Sequence, residues 1–365
     1  VYGVSFRRGA PDICVVTTTP RCLEHGWGIS RYHPSIAIIT SGERSRGKGK
    51  SMADELYVGI DVGGTSVKIG IVTREGDVVA KASVPTPPLV DEAGYTAVTD
   101  GVKSVLESAD VDVSLLKGIG LAVPCPVPAD GNIAVIANLS LNLLGVHDAL
   151  QAAFPGVYVG FLNDANAAAM GELWKGAGAG YSSLVLVTLG TGIGAGVVCD
   201  GKVLAGANGA AGELGHVIVN PAETRQCGCG RYGCLEQYAS ATGIVNSYRL
   251  ECEKRGCEPV ELSGPSDSRS VFEALVAGDE AARAAVDTMA GALGFELANA
   301  ACSFDPEVFV LGGGVSAGAE HYLGRVTEVF KKMTLSCCAD TPITVASLGN
   351  DAGMLGAAYY AVTNA

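Results

Sequence analysis

Apolar positions in this chain fall in short runs separated by glycine-rich breaks, and their period changes along the sequence. Leu56–Val62 is a nearly continuous apolar run that ends in Asp61-Val62-Gly63-Gly64-Thr65. Val67–Thr73 and Asp77–Val84 alternate, so the spacing predicts strands and an opening meander. Asp91–Ser108 has helical spacing. Lys117–Val123 reads as a buried strand closed by Pro124-Cys125-Pro126, and Val157–Leu162 as another, leading into Asn163-Asp164 and a helical pattern over Ala165–Trp174. Gly176–Gly180 then breaks the pattern.

A second set follows. Leu184–Leu189 and Gly194–Cys199 are predicted strands around a second glycine turn. Ala281–Ala301 reads as a long helix of small residues, Val308–Leu311 as a strand running into Gly312-Gly313-Gly314, and 351–363 as a last helix. Strands, glycine turn, strands, helix, strand and helix thus occur twice. That order predicts two related α/β halves flanking a cleft, alike in pattern and not in residues. Loops at strand ends are where such halves bind phosphate.

Composition narrows the picture. Glycine supplies 50 of the 365 residues, about twice its usual share, with no collagen period. The chain is 48% hydrophobic and 17% charged, which provides for a core and argues against global disorder. Its net charge of −13 disfavours general nucleic-acid binding, which needs cationic surface. No apolar stretch has the length of a membrane span, and no secretory signal pattern opens the chain. Twelve cysteines in a chain this long do not read as a disulfide framework. The expected compartment is the reducing cytoplasm.

Charge also divides the chain. Residues 1–50 hold eight basic and three acidic residues, whereas the remainder holds seventeen basic and thirty-five acidic ones. Periodicity in the first segment is weak, and it ends in a polar run. Met52 therefore reads as the native start, with 1–51 a non-native or disordered leader.

Four motifs carry candidate chemistry. In Asp61-Val-Gly-Gly-Thr65 with Lys68, a strand delivers a carboxylate and two glycines let backbone N–H groups approach an anion. Asp61 is suited to Mg²⁺ through water; the competing reading is an ordinary hairpin turn. Thr188-Leu-Gly-Thr-Gly-Ile-Gly-Ala-Gly196 is a second such turn, containing Gly190, Thr191 and Gly192. It is followed by a strand, so it is neither a dinucleotide fingerprint nor a P-loop. Asn163-Asp164 closes a strand and opens a helix. There Asp164 is placed either as an N-cap or as a general base toward a sugar hydroxyl. Finally, His216, Cys227, Cys229 and Cys234 match a closed Cys₃His zinc site, structural because no coordination position stays open. Glu213 and Glu236 flank this loop and could serve as paired acceptors for a polyol.

With these residues in view, the chain resembles the bacterial glucokinases of the ROK family (repressor, open reading frame, kinase). The resemblance runs from about Leu56 to Ala361. It rests on Gly59-Ile-Asp-Val-Gly-Gly-Thr65, Asn163-Asp-Ala-Asn-Ala-Ala-Ala169, Thr188-Leu-Gly-Thr-Gly-Ile-Gly194, Gly212-Glu-Leu-Gly-His216, Cys227-Gly-Cys-Gly-Arg-Tyr-Gly-Cys-Leu-Glu236 and Leu311-Gly-Gly-Gly-Val315. It implies an α/β, actin/hexokinase-like ATPase fold with two α/β domains around a cleft. The small domain would be 54–170 plus 349–365, and the large domain 171–348 with the zinc loop.

The resemblance further implies Asp164 as catalytic base, with Asn138, Asn163, Asp164, Glu213, His216 and Glu236 on the sugar hydroxyls. Asp61, Gly63, Gly64, Thr65, Lys68, Gly190, Thr191 and Gly192 would serve ATP phosphates and Mg²⁺, and Gly312, Gly313 and Gly314 the adenosine side. His216 would also ligate zinc. The implied activity is ATP-dependent phosphorylation of glucose at its 6-hydroxyl, by a cytoplasmic homodimer or homotetramer with no nucleic-acid or membrane partner. Alternatives within the resemblance are a kinase for N-acetylmannosamine, N-acetylglucosamine or fructose, a polyphosphate-using variant, and a sugar-responsive repressor. The repressor needs a helix-turn-helix, and residues 1–51 lack a two-helix apolar pattern.

Overall fold

A computed structural model describes residues 55–128, 141–223 and 225–365, together with three strands in the first 41 residues. The chain divides into two compact units, Val1–Gly171 with Asp351–Ala365, and Glu172–Asn350. Of the expected leader, only those three strands are described; its other residues lie outside the described residues.

The first unit is built on an eight-stranded sheet in the order β1-β2-β3-β6-β5-β4-β7-β8. Its strands are β1 (Val4–Ser5), β2 (Ile13–Thr18), β3 (Ala37–Ser41), β4 (Leu56–Val62), β5 (Ser66–Thr73), β6 (Val78–Pro85), β7 (Leu116–Val123) and β8 (Tyr158–Asn163). The meander β4-β5-β6 is antiparallel, whereas β7 and β8 join β4 in parallel. Parallel neighbours need crossovers. The helices α1 (Glu92–Ser108) and α2 (Leu143–Ala153) lie in those connections, and α3 (Asp164–Lys175) follows β8. Asp91 caps α1 by accepting the Gly94 N–H at 3.0 Å.

Alternation decides what each sheet face buries. Val58, Ile60, Ile69, Ile71, Ile119 and Leu121 are almost fully buried and join Val98, Val102 and Val105 of α1 in one core. The C-terminal helix, Ala352–Asn364, packs against the same sheet. Its backbone comes so close that a Cβ at Gly59 would overlap the Met354 carbonyl oxygen, and one at Gly120 that of Ala357.

The second unit repeats the strand order on five strands: β9 (Leu184–Leu189), β10 (Ile193–Cys199), β11 (Lys202–Val203), β12 (Val308–Gly312) and β13 (Ile343–Val345). They run β11-β10-β9-β12-β13. In the sets β4–β8 and β9–β13 alike the first strand is central, the second and third extend the sheet antiparallel on one side, and the fourth and fifth extend it parallel on the other. The predicted duplication of pattern is thus a duplication of topology. Each glycine turn occupies the same place, joining the first strand to the second.

Helices α4 (Glu236–Ala239), α5 (Ala241–Arg255), α6 (Ser268–Val276), α7 (Glu280–Phe304) and α8 (Leu323–Met333) complete this unit. Met289, Leu293 and Leu297 of α7 are fully buried among Tyr248, Val326, Phe330 and Phe309. Asp279 opens α7 by accepting the N–H groups of Ala281 and Ala282, and it also accepts the Tyr248 hydroxyl at 2.8 Å. Among the described residues no helix is long and apolar enough to cross a membrane.

Candidate functional site

In the first unit, the β4–β5 register sets Asp61 opposite Lys68. The Lys68 ammonium donates to Asp61 Oδ2 at 3.4 Å. Burial pushes the Asp61 pKa up, and the Lys68 charge opposes the shift. Beyond them the turn is closed by the Gly63 N–H on the Ser66 carbonyl oxygen, 3.0 Å, and by the Thr86 hydroxyl on the Gly63 carbonyl oxygen. Gly64 and Thr65 stand exposed at its tip.

Asn163 and Asp164 divide the two roles that compete for this position in the sequence. Asn163 Oδ1 accepts the N–H groups of Ala165 at 3.0 Å and Asn166 at 3.2 Å, so Asn163 caps α3. Its amide also donates to the Cys125 carbonyl oxygen at 3.4 Å, tying the cap to the end of β7. Asp164 is the exposed first residue of the helix, where one carboxylate oxygen accepts the Ala165 N–H at 2.8 Å. The helix end favours negative charge there. Burial holds the Cys125 thiol up at about 11, and the Asp164 charge adds to that shift.

In the second unit, the predicted ligand set comes together. One ligand atom from each of His216, Cys227, Cys229 and Cys234 lies within 4.8 Å of all the others. Cys229 Sγ and Cys234 Sγ are 3.6 Å apart, and Cys227 Sγ is 3.7 Å from His216 Nδ1. The edges of a tetrahedral zinc site with these ligands are about 3.6–3.8 Å long. Two of the six edges have that length, and three sulfurs with one imidazole suit zinc. Backbone and side-chain donors of Arg231 lower the Cys229 thiol to about 6, favouring the thiolate a metal needs, while burial raises Cys234 to about 12. Glu213 stands exposed just before the 3₁₀ turn Leu214–His216, whose last N–H donates to the Glu213 carbonyl oxygen at 3.0 Å.

Glu236, the first residue of α4, links this loop to the second glycine turn. Its Oε2 accepts the Ile193 N–H at 3.0 Å, and its Oε1 is 3.6 Å from Cys227 Sγ. A Cβ at 192 would press on that carboxylate and displace it. At the end of β12, Gly313 has a φ of +82° and turns the chain into the 3₁₀ segment Gly314–His321. Gly314 lines a cavity of about 520 Å³ together with Phe272, Glu273 and His321. Asn138 lies outside the described residues.

A sequence model of the ROK family matches residues 57–364.

The chain belongs to the ROK family.

A glucokinase of Halalkalibacterium halodurans is 38% identical over 314 residues, covering 84% of this chain and 94% of that protein. Among solved structures, the ROK hexokinase of Thermus thermophilus has a TM-score of 0.71 at 34% identity, over 83% of this chain and 97% of that one. A ROK glucokinase of Streptomyces griseus in complex with glucose and AMPPNP has a TM-score of 0.64 at 30% identity, over 85% and 100%. With the duplicated sheet topology, these likenesses establish the actin/hexokinase-like ATPase fold expected from sequence.

Two features of this ROK chain were not legible as motifs. Glu172 is fully buried, and its carboxylate accepts the N–H groups of Ala177 at 2.7 Å, Ser347 at 3.1 Å and Leu348 at 2.9 Å. Arg225 braces the segment between His216 and Cys227. It pairs with Glu223 at 2.7 Å, lies 4.9 Å over the Tyr238 ring and donates to Ser247. The polar spacing around Glu172 and Arg225 carries little signal, because the partners that define their roles include the distant backbone of Ser347 and Leu348 and the Tyr238 ring.

Proposed function

We propose that this chain is a glucokinase, transferring the γ-phosphoryl group of ATP to the 6-hydroxyl of glucose. The observation that carries the reading is the division of labour at β8–α3. Asn163 caps the helix, so Asp164 is exposed on a helix end as a ROK chain's candidate base. Identity with glucokinases across the whole matched length supports the choice of sugar.

In this reading the Asp164 carboxylate takes the proton of the 6-hydroxyl while that oxygen attacks the γ-phosphorus. The bond from the γ-phosphorus to the bridging oxygen breaks, and ADP leaves. Asn138, Asn163, Glu213, His216 and Glu236 orient the other hydroxyls, which places the nucleophile in line. The turns Gly63–Thr65 and Gly190–Gly192 hold the phosphates, their Gly63 and Gly190 N–H groups closing the turns and those of the residues that follow facing the anion, with Lys68 adding positive charge, and the cavity beside Gly314 takes the adenosine. Asp61 would hold Mg²⁺ through water, an ion that neutralises charge on the transferring phosphate. His216, Cys227, Cys229 and Cys234 would hold zinc, which fixes the sugar loop as a closed structural ion. The same reading makes the chain a cytoplasmic homodimer or homotetramer, which sedimentation velocity checks.

The direct experiment is a coupled assay over glucose, N-acetylmannosamine, N-acetylglucosamine and fructose, each with ATP or polyphosphate. Glucose with ATP should give the highest kcat/KM. Higher values for another sugar or donor would overturn the assignment.

A further inference from the structure

The segment that closes the metal loop also holds the second glycine turn. Cys234 is a candidate ligand, and Glu236 follows two residues later. Its carboxylate accepts the Ile193 N–H at 3.0 Å. Just beyond, the Ala241 N–H donates to the Gly190 carbonyl oxygen at 2.8 Å, and the Thr242 hydroxyl donates to that of Thr191 at 2.9 Å. Three bonds from residues 236–242 therefore fix a turn of four residues, 190–193. Glycine at 192 lets the carboxylate sit against the turn. On its other side, Glu236 approaches Cys227 Sγ at 3.6 Å.

We propose that Glu236 is a positioning residue for the phosphate turn, coupling assembly of the Cys₃His loop to the nucleotide affinity of residues 190–193. This rests on the kinase reading for the turn's ligand, but the coupling itself is a property of the loop and turn. A metal-ligated loop fixes Cys234 two residues before Glu236 and Cys227 against its carboxylate. The carboxylate then holds the Ile193 N–H and orients the N–H groups of the turn. A disassembled loop releases Glu236 and leaves the turn held at Gly190 and Thr191 only.

The test uses the full chain without sugar. Amide hydrogen exchange at 190–193 is compared in the zinc-loaded protein, in the same protein after EDTA treatment, and in Glu236→Ala and Glu236→Gln. Loss of a charge-assisted bond should speed exchange about tenfold in both the EDTA-treated protein and Glu236→Ala, with zinc content in Glu236→Ala unchanged. Glu236→Gln keeps an oxygen for the Ile193 N–H and should restore most of the protection. Titration with AMPPNP should weaken about tenfold in the same two samples. Protection at 190–193 that survives either metal removal or Glu236→Ala overturns the proposal. A zinc-loaded wild type that binds no AMPPNP, yet shows the exchange pattern, sinks the kinase reading and leaves the coupling standing.

Discussion

The carboxylate of Glu172 accepts the N–H of Leu348 at 2.9 Å across 176 residues of sequence. Glu172 begins the second unit and Leu348 lies two residues before its end, so one buried side chain ties the two ends of that unit together. Glu172→Ala leaves the N–H groups of Ala177, Ser347 and Leu348 without this acceptor. The expected loss is about 3 kcal/mol or more, read by urea denaturation. Stability within about 0.5 kcal/mol of wild type would show that water replaces the carboxylate.

Asp164→Ala should lower kcat with glucose and ATP by about 10²–10⁴-fold. Because Asn163 does the capping, far-ultraviolet dichroism and melting temperature should stay near wild type. Turnover within a few-fold of wild type would remove Asp164 from the chemistry.

Cys229→Ser should abolish stoichiometric zinc. Sugar affinity should fall with it, because His216 is itself in the ligand set and Glu213 and Glu236 flank the loop. Metal analysis and calorimetric titration with glucose check both halves. Full zinc content in the variant would exclude Cys229 as a ligand.

Glu296 predicts a pH effect on stability. It is a 2% exposed residue of α7. Burial pushes its pKa from the ordinary 4.5 up to about 7, although Asn299 donates to it at 3.3 Å. Between those values the folded chain binds more protons than the unfolded one, so stability falls as pH rises. The contribution is full below about pH 4.5 and is lost as pH passes 7. Glu296→Gln should match wild type at pH 4 and exceed it by up to about 3 kcal/mol at pH 8. Parallel wild-type and variant stability curves across that range would reject this account.

What could be read from sequence followed the range of the interactions. Strand and helix periods are local, so Leu56–Val62 emerged with its bounds intact and Ala281–Ala301 as the centre of Glu280–Phe304. The metal set was legible because Cys227, Cys229 and Cys234 sit within one turn of loop. Asn163-Asp164 was legible as a pair, but only the hydrogen bonds say which of them caps. Glu172 gave no signal, since its partners at Ser347 and Leu348 are peptide groups whose identity the side chains do not encode. The Ile193–Glu236 bond was equally silent, being a backbone donor chosen by register.

The C-terminal helix carries a consequence for biosynthesis. Its backbone rests directly on Gly59 and Gly120, and a Cβ at its own Gly356 would collide with the Ala167 carbonyl oxygen. This close approach leaves no room for bulkier residues at those glycines, and the helix is synthesised only after Glu172–Asn350. The nascent chain therefore holds an uncovered apolar sheet face through translation of Glu172–Asn350, and closes it only once Ala352–Asn364 has emerged. Chaperone dependence should concentrate in that interval.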